Sequence, residues 1–545
     1  MLKKVNKSYL ALILAFTLVF LLTRLPRLYN DTINPDGVNW HYRAEQFVVA
    51  LKSRNFVNTY QHYHPGVTLM WLAGGSIELY KQLNPSYGTY TQFTFQTFDY
   101  IAKLSLVFPQ LILSLMSIVL LYKIFVITLI SGNKPRSFLL SLGVVSLFTL
   151  EPFFVGNSRL FHLDILLTLL VFNGICLAYL SAKSFRYSNA AVGALFLAGA
   201  FLTKSIGIGA LVFVLGFGTL LAYINHGKKV AIKYLLTFGL LAVVLTIVIF
   251  PALWVRPIDT IINIFSEGER IGIRNGHGQI VMGEYTRDAG PIYYPLVLLL
   301  KVSPFLWVGV LSGVVLSLKK KKLLIKPGLK SLINNPLGFL GIFYLGYFLV
   351  MVFPSKKIDR YMLPEYPYLA LLSVYGYYKL GQIKRSAKLI YFSLIGFGMF
   401  LFFIVYPLIT FYPYYFTYSS PIFGGVKVAN SVLAQKPFGI GMYDLKQFIL
   451  ERYFKPTNTT LSGDDVTNQY PALGFIDVKP MRAIYPNSKV HDIREIGTSK
   501  YDIIVLGIGE EFPENVLKSK FNYVKDSSMY INGLEYWRVY VKETK

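Results

Sequence analysis

The sequence predicts an α-helical polytopic membrane protein of about eleven spans with a C-terminal soluble α/β domain. Three observations carry that expectation. Charged residues make up 15% of the 545, where a soluble domain carries about 25%. Hydrophobic residues reach 54%. Long apolar runs, such as 10–22 and 235–250, recur every few tens of residues, which one soluble core would not need. The net charge of +26 could suggest nucleic acid, but its distribution along the chain follows membrane topology instead. The single cysteine, Cys176, sits in an apolar run, so no intramolecular disulfide forms.

A spanning helix needs roughly 20 apolar residues to cross about 30 Å. Eleven stretches approach this: 9–29, 100–122, 138–155, 161–181, 189–203, 205–224, 234–254, 291–317, 336–354, 361–378 and 389–411. With a cytoplasmic N-terminus, the inner segments are 1–8, 123–137, 182–188, 225–233, 318–335 and 379–388. They hold 21 Lys and Arg and no Asp or Glu. That bias orients the chain, and topology signalling explains it without nucleic acid. All 14 acids of residues 1–411 then lie at or near the outer face, in loops 30–99 and 255–290 or in short turns. Residues 1–29 read as a retained first helix, since no small-residue cleavage site follows the apolar run.

The chain divides at about residue 411. Residues 1–411 form the membrane domain. Residues 412–545 carry 16 Lys and Arg against 14 Asp and Glu, with no run long enough to span. Short apolar runs at 438–442, 502–507 and 536–541, with a helix-compatible stretch at 444–453, predict an extracytoplasmic α/β domain. The expected location is the plasma membrane.

Chemistry that needs carboxylates therefore belongs outside. Asp36 follows the first span and Pro35, whose ring restricts the backbone there. It is either a solvated loop acid or a general base toward an acceptor hydroxyl. His62-Tyr63-His64-Pro65-Gly66 precedes a short apolar stretch expected to lie along the membrane surface. The histidines could ligate a metal or bind phosphate, or form a polar turn of no special role. His162 and Asp164 enter an otherwise apolar span, where ionisable groups face a cavity or a partner. Asp164 and Arg159 are thus a functional pair or an ion pair that pins the helix end. Loop 255–290, with Arg270, His277 and glycines at 268, 272, 276, 278 and 283, can close over a ligand or merely connect. Lys356, Lys357 and Arg360 put three cations at the outer surface, against the positive-inside pattern: either the topology differs there, or an anion such as a lipid phosphate is their partner. Lys204 is another isolated outer cation.

These residues resemble a known superfamily. Pro35-Asp36, His64-Pro65, Arg159 with Leu163-Asp164, Phe201-Leu202-Thr203-Lys204, His277-Gly278-Gln279 with Gly290-Pro291, Lys357 with Arg360-Tyr361-Met362-Leu363-Pro364, and Tyr412-Pro413-Tyr414-Tyr415 with Gly424-Gly425 occur in that order. The ordered set is similar to the GT-C glycosyltransferases of the protein O-mannosyltransferase and aminoarabinose transferase type, over about 35–425. Residues 530–536 also resemble the end of prokaryotic members.

The resemblance implies transfer of a sugar from a polyprenyl-phosphate donor to a lipid, glycan or protein acceptor on the outer face. It implies Asp36 as base and Asp164 as a second acidic position. Lys357 and Arg360 match the family's basic turn, and Lys204 and Arg270 are further candidates for the donor phosphate. His64, Arg159, His277 and Tyr361 are expected in the substrate pocket. Gly37 stands where the mannosyltransferases carry a second acid, and His64 where the aminoarabinose enzymes have Lys. No obligatory metal is implied, although some relatives hold a divalent cation. Membrane lipids are the expected surroundings, and nucleic acid is not a partner. The reaction would be an inverting hexosyl or pentosyl transfer. The competing function is a lipid or lipid-linked oligosaccharide flippase, which would tolerate Asp36→Asn. A helical anchor for a recruiting tail ranks last, because it would not need eleven spans.

Overall fold

In the computed structural model, the described residues are 7–129, 132–273, 276, 278–319, 328–382, 388–454, 470–494, 501–510, 517 and 522–543. Five helices among them are long and apolar enough to cross a membrane: Lys7–Arg24, Phe95–Thr128, Asp164–Lys183, Ser205–His226 and Lys228–Ile249. Two further spans are bent pairs, Lys134–Leu150 with Pro152–Ser158 at 70° and Tyr293–Lys301 with Pro304–Leu318 at 110°. Three apolar helices are shorter: Tyr187–Thr203, Pro336–Val352 and Leu394–Thr410. Asp164–Lys183 is the central helix. Its membrane window is wholly buried by protein, whereas that of Lys228–Ile249 is 17% buried and offers its apolar surface to lipid.

The expected continuous spans at 138–155 and 291–317 are therefore each broken. Pro152 and Pro304 open the second member of each pair, where a proline's missing N–H costs nothing. The two breaks are stitched together. Glu151 accepts from the Ser303 amide at 2.9 Å and from the Ser303 hydroxyl, and Lys301 Nζ donates to the Tyr418 carbonyl at 2.9 Å. Backbone groups freed at a break inside apolar surroundings need such partners.

The stretch expected as the long outer loop 30–99 is largely helical. Asn34 accepts from the Gly37 amide at 2.5 Å and caps helix Pro35–Lys52, with Pro35 in its first turn. A Cβ on Gly37 would come within 2.8 Å of Asn34 Nδ2, so a side chain here competes with the cap. Val67–Leu83 is also helical, with a wider turn at Met70–Gly74. Loop 255–290 likewise holds helix Pro257–Glu267 and a hairpin of β1 (Gln279–Val281) and β2 (Glu284–Thr286).

The C-terminal α/β expectation holds, with one correction. A five-stranded sheet comprises β3 (Leu473–Phe475), β4 (Val490–Asp492), β5 (Ile503–Gly507), β6 (Tyr523–Ile531) and β7 (Leu534–Lys542), in the order β4-β3-β5-β7-β6. Strand β3 runs parallel to β4 and β5, and β7 is antiparallel to β5 and β6. Asn532 and Gly533 take positive φ, the turn a two-residue β6–β7 hairpin demands. Helix Met442–Tyr453 covers the expected 444–453. Residues 438–442 are not a strand: Phe438, Gly439 and Gly441 all have positive φ, which makes this segment a turn.

Arg159 does not pair with Asp164. Its Nε lies 2.9 Å from Asp31 Oδ2, and its other nitrogens donate to the carbonyls of Thr23, Arg24 and Pro26 at 3.1, 2.8 and 2.8 Å. It therefore closes the end of the first helix and lies outside the pocket. Asp31 continues into a buried chain of charges: Lys103 Nζ is 3.1 Å from it and 2.7 Å from Asp99, and Asp99 reaches His41 Nε2 at 3.1 Å. Replacing Arg159 by Met is expected to destabilise the protein by about 3–5 kcal/mol, because Asp31 loses a buried partner. Thermal unfolding in detergent measures this; an unchanged midpoint would contradict the anchoring role.

Candidate active site

Asp36 and Asp164 lie at the starts of two helices whose first turns meet, Pro35–Lys52 and Asp164–Lys183. His162 stands between them, its Nδ1 2.9 Å from Asp164 Oδ2 and its Nε2 3.4 Å from Asp36 Oδ2. Arg360, on the 3-10 turn Asp359–Glu365, donates through Nη2 to Asp36 at 2.5 Å, and its Nε lies 3.0 Å from Asp164. Lys204, where helix Tyr187–Thr203 stops, donates to Asp164 at 2.7 Å. Its ammonium also sits 3.9 Å above the centre of the Tyr361 ring. Two carboxylates and two cations thus form one compensated cluster, as burial of charge requires.

The two acids are not equivalent. The Asp36 side chain is 42% exposed and that of Asp164 is 5% exposed, so only Asp36 is open to an incoming molecule. Burial alone would push the Asp36 carboxyl up. The His162 hydrogen bond and the Arg360 charge outweigh burial and hold it well below the usual carboxylate range. Asp36 is therefore ionised at any physiological pH.

Three cations near the cluster have no ion pair among the described residues: Arg43 and Lys356, which feel the Asp36 charge, and Lys436, which neighbours Asp359, Arg360 and Lys356. Arg43 rests over the Trp40 ring at 4.6 Å. Burial lowers the pKa of all three, and for Lys436 it brings the ammonium down to about 8. Lys356 was one of the three outer cations that the sequence offered to an anion, whereas Arg43 and Lys436 had not stood out. The three come from distant segments, and only the fold groups them.

The remaining sequence candidates divide. Tyr361 and Lys204 join the cluster. His64 reaches Ser205 Oγ at 3.2 Å through Nδ1, and burial, with Lys204 and His62 nearby, depresses it well below its usual value. Burial, with Arg43 and Lys356 close by, likewise brings His62 down to about 3. Both rings are therefore neutral and offer hydrogen bonds, not charge. Lys357 is buried and already engaged, donating to the Pro354 carbonyl at 2.6 Å with Asp288 at 3.6 Å. Arg270 is exposed on the wide turn Gly268–Ile273, with no contact to the cluster among those described. His277 lies outside the described residues. The functional place of His162 between two carboxylates was missed, although its entry into an apolar span was the available signal.

A divalent cation does not fit this donor set. Among the described residues, no three His, Cys, Asp or Glu side chains converge as metal ligands. Asp36 Oδ2 and Asp164 Oδ2 both already hold Arg360, so a metal bridging those two oxygens would have to displace a guanidinium.

No family model matches the chain, and neither does any curated protein sequence. Solved structures do. ArnT from Cupriavidus metallidurans bound to undecaprenyl phosphate superposes with a TM-score of 0.50 at 14% identity, covering 97% of each chain. The same protein in the apo state gives 0.49 at 13% identity over 98% of each chain. The oligosaccharyltransferase AglB from Archaeoglobus fulgidus, in complex with an inhibitory peptide and a dolichol-phosphate, gives 0.44 at 11% identity, over 92% of this chain and 69% of that one. The fold and site thus define a multi-pass membrane protein with an ion cluster at one end of its helices. More particularly, the chain has the GT-C fold, the one implied by the ordered motifs.

The Asp164 pairing predicts a specific energetic coupling. Lys204→Met leaves a buried carboxylate short of a partner and should destabilise strongly, whereas Lys204→Met combined with Asp164→Asn should recover about 1–3 kcal/mol of that loss. The cycle is read by thermal unfolding in detergent. Strict additivity of the two changes would mean that the residues do not interact.

Proposed function

We propose that the protein is a membrane glycosyltransferase that moves a sugar from a polyprenyl-phosphate donor to an acceptor on the outer face of the membrane, inverting the anomeric centre. The observation that carries this reading is one half-exposed, ionised carboxylate paired with Arg360, with Arg43, Lys356 and Lys436 near that cluster and outside any ion pair among the described residues. A lipid-linked phosphate supplies the charge those cations lack, and its polyprenyl chain has lipid-facing helices to lie against. The relative of this fold that binds undecaprenyl phosphate supports the donor class. Nothing in the comparisons supports a flippase.

In the reaction the acceptor hydroxyl attacks the anomeric carbon as the bond from that carbon to the phosphate oxygen breaks. The bonding pair leaves with the phosphate. Arg43, Lys356 and Lys436 stabilise the charge that grows there. As the new C–O bond forms, the acceptor proton becomes acidic and passes to Asp36 Oδ. Its strong pairing with Arg360 makes Asp36 a weak base, so this transfer occurs late along the reaction. Asp164 touches neither partner and is a positioning residue that aims Arg360 and Lys204. A single displacement needs only one base, and no step passes through a metal.

The topology that fits has the N-terminus in the cytoplasm and both the cluster and the C-terminal domain outside, at the plasma membrane. Lys183 meets Asn225 and Asn334 at the ends of helices that carry the basic segments, away from Asp36.

Incubation of purified protein with a panel of radiolabelled polyprenyl-phosphate sugars tests the reading. Asp36→Asn keeps the shape and loses the basicity, so donor binding should persist while single-turnover transfer falls by about 100-fold or more. Transfer at the wild-type rate would make Asp36 a structural acid. Asp164→Asn should instead disturb donor affinity and stability together with rate.

A pH dependence follows from Lys436. Its ammonium is charged below about pH 8 and neutral above it. Donor affinity should therefore weaken as pH rises through that value, and Lys436→Arg, which stays cationic, should abolish the inflection. Titration of donor competition between pH 6.5 and 9.5, roughly the span over which such a lysine titrates, reads this directly. A wild-type profile that stays flat removes Lys436 from the phosphate set.

A further inference from the structure

We propose that the turn 436–441 of the C-terminal domain is a positioning element of the active site, and that Phe438 holds the Arg360 guanidinium against Asp36. The inference takes from the proposed function only the identity of the pair being positioned.

The turn is fastened to the C-terminal sheet on one side. Trp537 of β7 donates through Nε1 to the Ile440 carbonyl at 2.9 Å, and Tyr536 Oη donates to the Lys436 carbonyl at 3.1 Å. Pro437 lies so close over Gly507 of β5 that a Cβ there would come within 2.2 Å of its ring.

On the other side the turn grips the chain just ahead of Asp36. The Ile33 amide donates to the Gly439 carbonyl at 3.1 Å, the Gly441 amide donates to the Asp31 carbonyl at 3.2 Å, and Thr32 and Ile440 form an antiparallel bridge. A Cβ on Gly439 would stand 1.7 Å from the Ile33 carbonyl oxygen, so this approach admits only glycine.

Between those two attachments Phe438 has φ +45°, a conformation that a bulky residue adopts only when its surroundings impose it. The outcome is a ring whose centre lies 4.7 Å from the Arg360 guanidinium carbon and which also stacks against Phe416 at 5.2 Å and 14°. Arg360 therefore meets an aromatic ring as well as two carboxylates. A cation resting on a ring that cannot move is itself confined, and its attraction to the ring quadrupole is stronger where water is sparse. The same turn thus holds both members of the Asp36–Arg360 pair, one through its backbone and one through a side chain.

The test compares Phe438→Leu and Phe438→Met, which fill the volume without a π face, with Phe438→Tyr and Phe438→Trp, which keep one. The first readout does not depend on transfer: labelling of Asp36 by a water-soluble carbodiimide and an amine, quantified by mass spectrometry. A loosened Arg360 shields Asp36 less, so labelling should rise about twofold or more in the Leu and Met variants and stay at the wild-type level in Tyr and Trp. The second readout is kinetic, with kcat falling about 10-fold in Leu and Met at unchanged donor KM, and returning with Tyr or Trp.

Wild-type labelling in the Leu or Met variants overturns the proposal. So does a lower thermal midpoint with labelling unchanged, which is the mark of a packing role alone. If the labelling pattern holds while the wild-type protein moves no sugar from any donor in the panel, the glycosyltransferase reading falls and the positioning role of Phe438 stands.

Discussion

Four charges share one partly dehydrated pocket, and their mutual compensation constrains nearly everything around them. Asp164 begins the most completely buried of the five long apolar helices among the described residues. A lone carboxylate there would be expensive, so Lys204 and Arg360 must reach it from two other segments. Both come from places where regular helix stops: Lys204 from extended backbone after Thr203, and Arg360 from a 3-10 turn. Irregular backbone at such a depth is tolerable because it is enclosed by protein and lines a site.

The exposed member of the cluster is where reactivity can arise. Asp36 shares Arg360 with Asp164, yet it remains open to solvent, and the nearby Arg43, Lys356 and Lys436 form no ion pair among the described residues. That imbalance leaves positive charge uncompensated near one open carboxylate, while the paired core fixes the geometry around it. Rigidity comes from a second buried set, Asp31, Lys103, Asp99 and His41, reinforced by Arg159. The chain leaving this set enters an Asn34-capped helix, so Asp36 sits two residues beyond a fixed point. The C-terminal sheet closes the arrangement, its strands holding a turn whose shape is complementary to both Ile33 and Arg360.

Much of the architecture was legible in the chain because it rests on local pattern. Apolar runs and basic segments marked the membrane body, and the change in composition near residue 411 marked the sheet-bearing tail. Asp36, Asp164, Lys204, Arg360 and Tyr361 stood out as charged or polar groups at the ends of apolar runs, and they do converge. The expected Asp164–Arg159 pair did not form. Five residues of separation suggested proximity, but the break between helix Pro152–Ser158 and helix Asp164–Lys183 turns Arg159 toward the first helix. Lys357 and Arg360 looked equivalent in sequence, whereas one is engaged by Pro354 and Asp288 and the other by Asp36 and Asp164. The bends at 151 and 303 were hidden for a similar reason, since an apolar run reads the same whether it is straight or broken.

The sequence by itself determined the fold class, the two-part organisation and the end of the helices at which charged chemistry gathers. These depend on hydropathy and composition, which act residue by residue. Tertiary structure alone decided which acid stays open, which cations are left unneutralised and which ring backs Arg360. Those outcomes depend on distances between segments as far apart in the chain as 36, 164, 204, 360 and 438, and side-chain burial sets them only after the helices and sheet have docked.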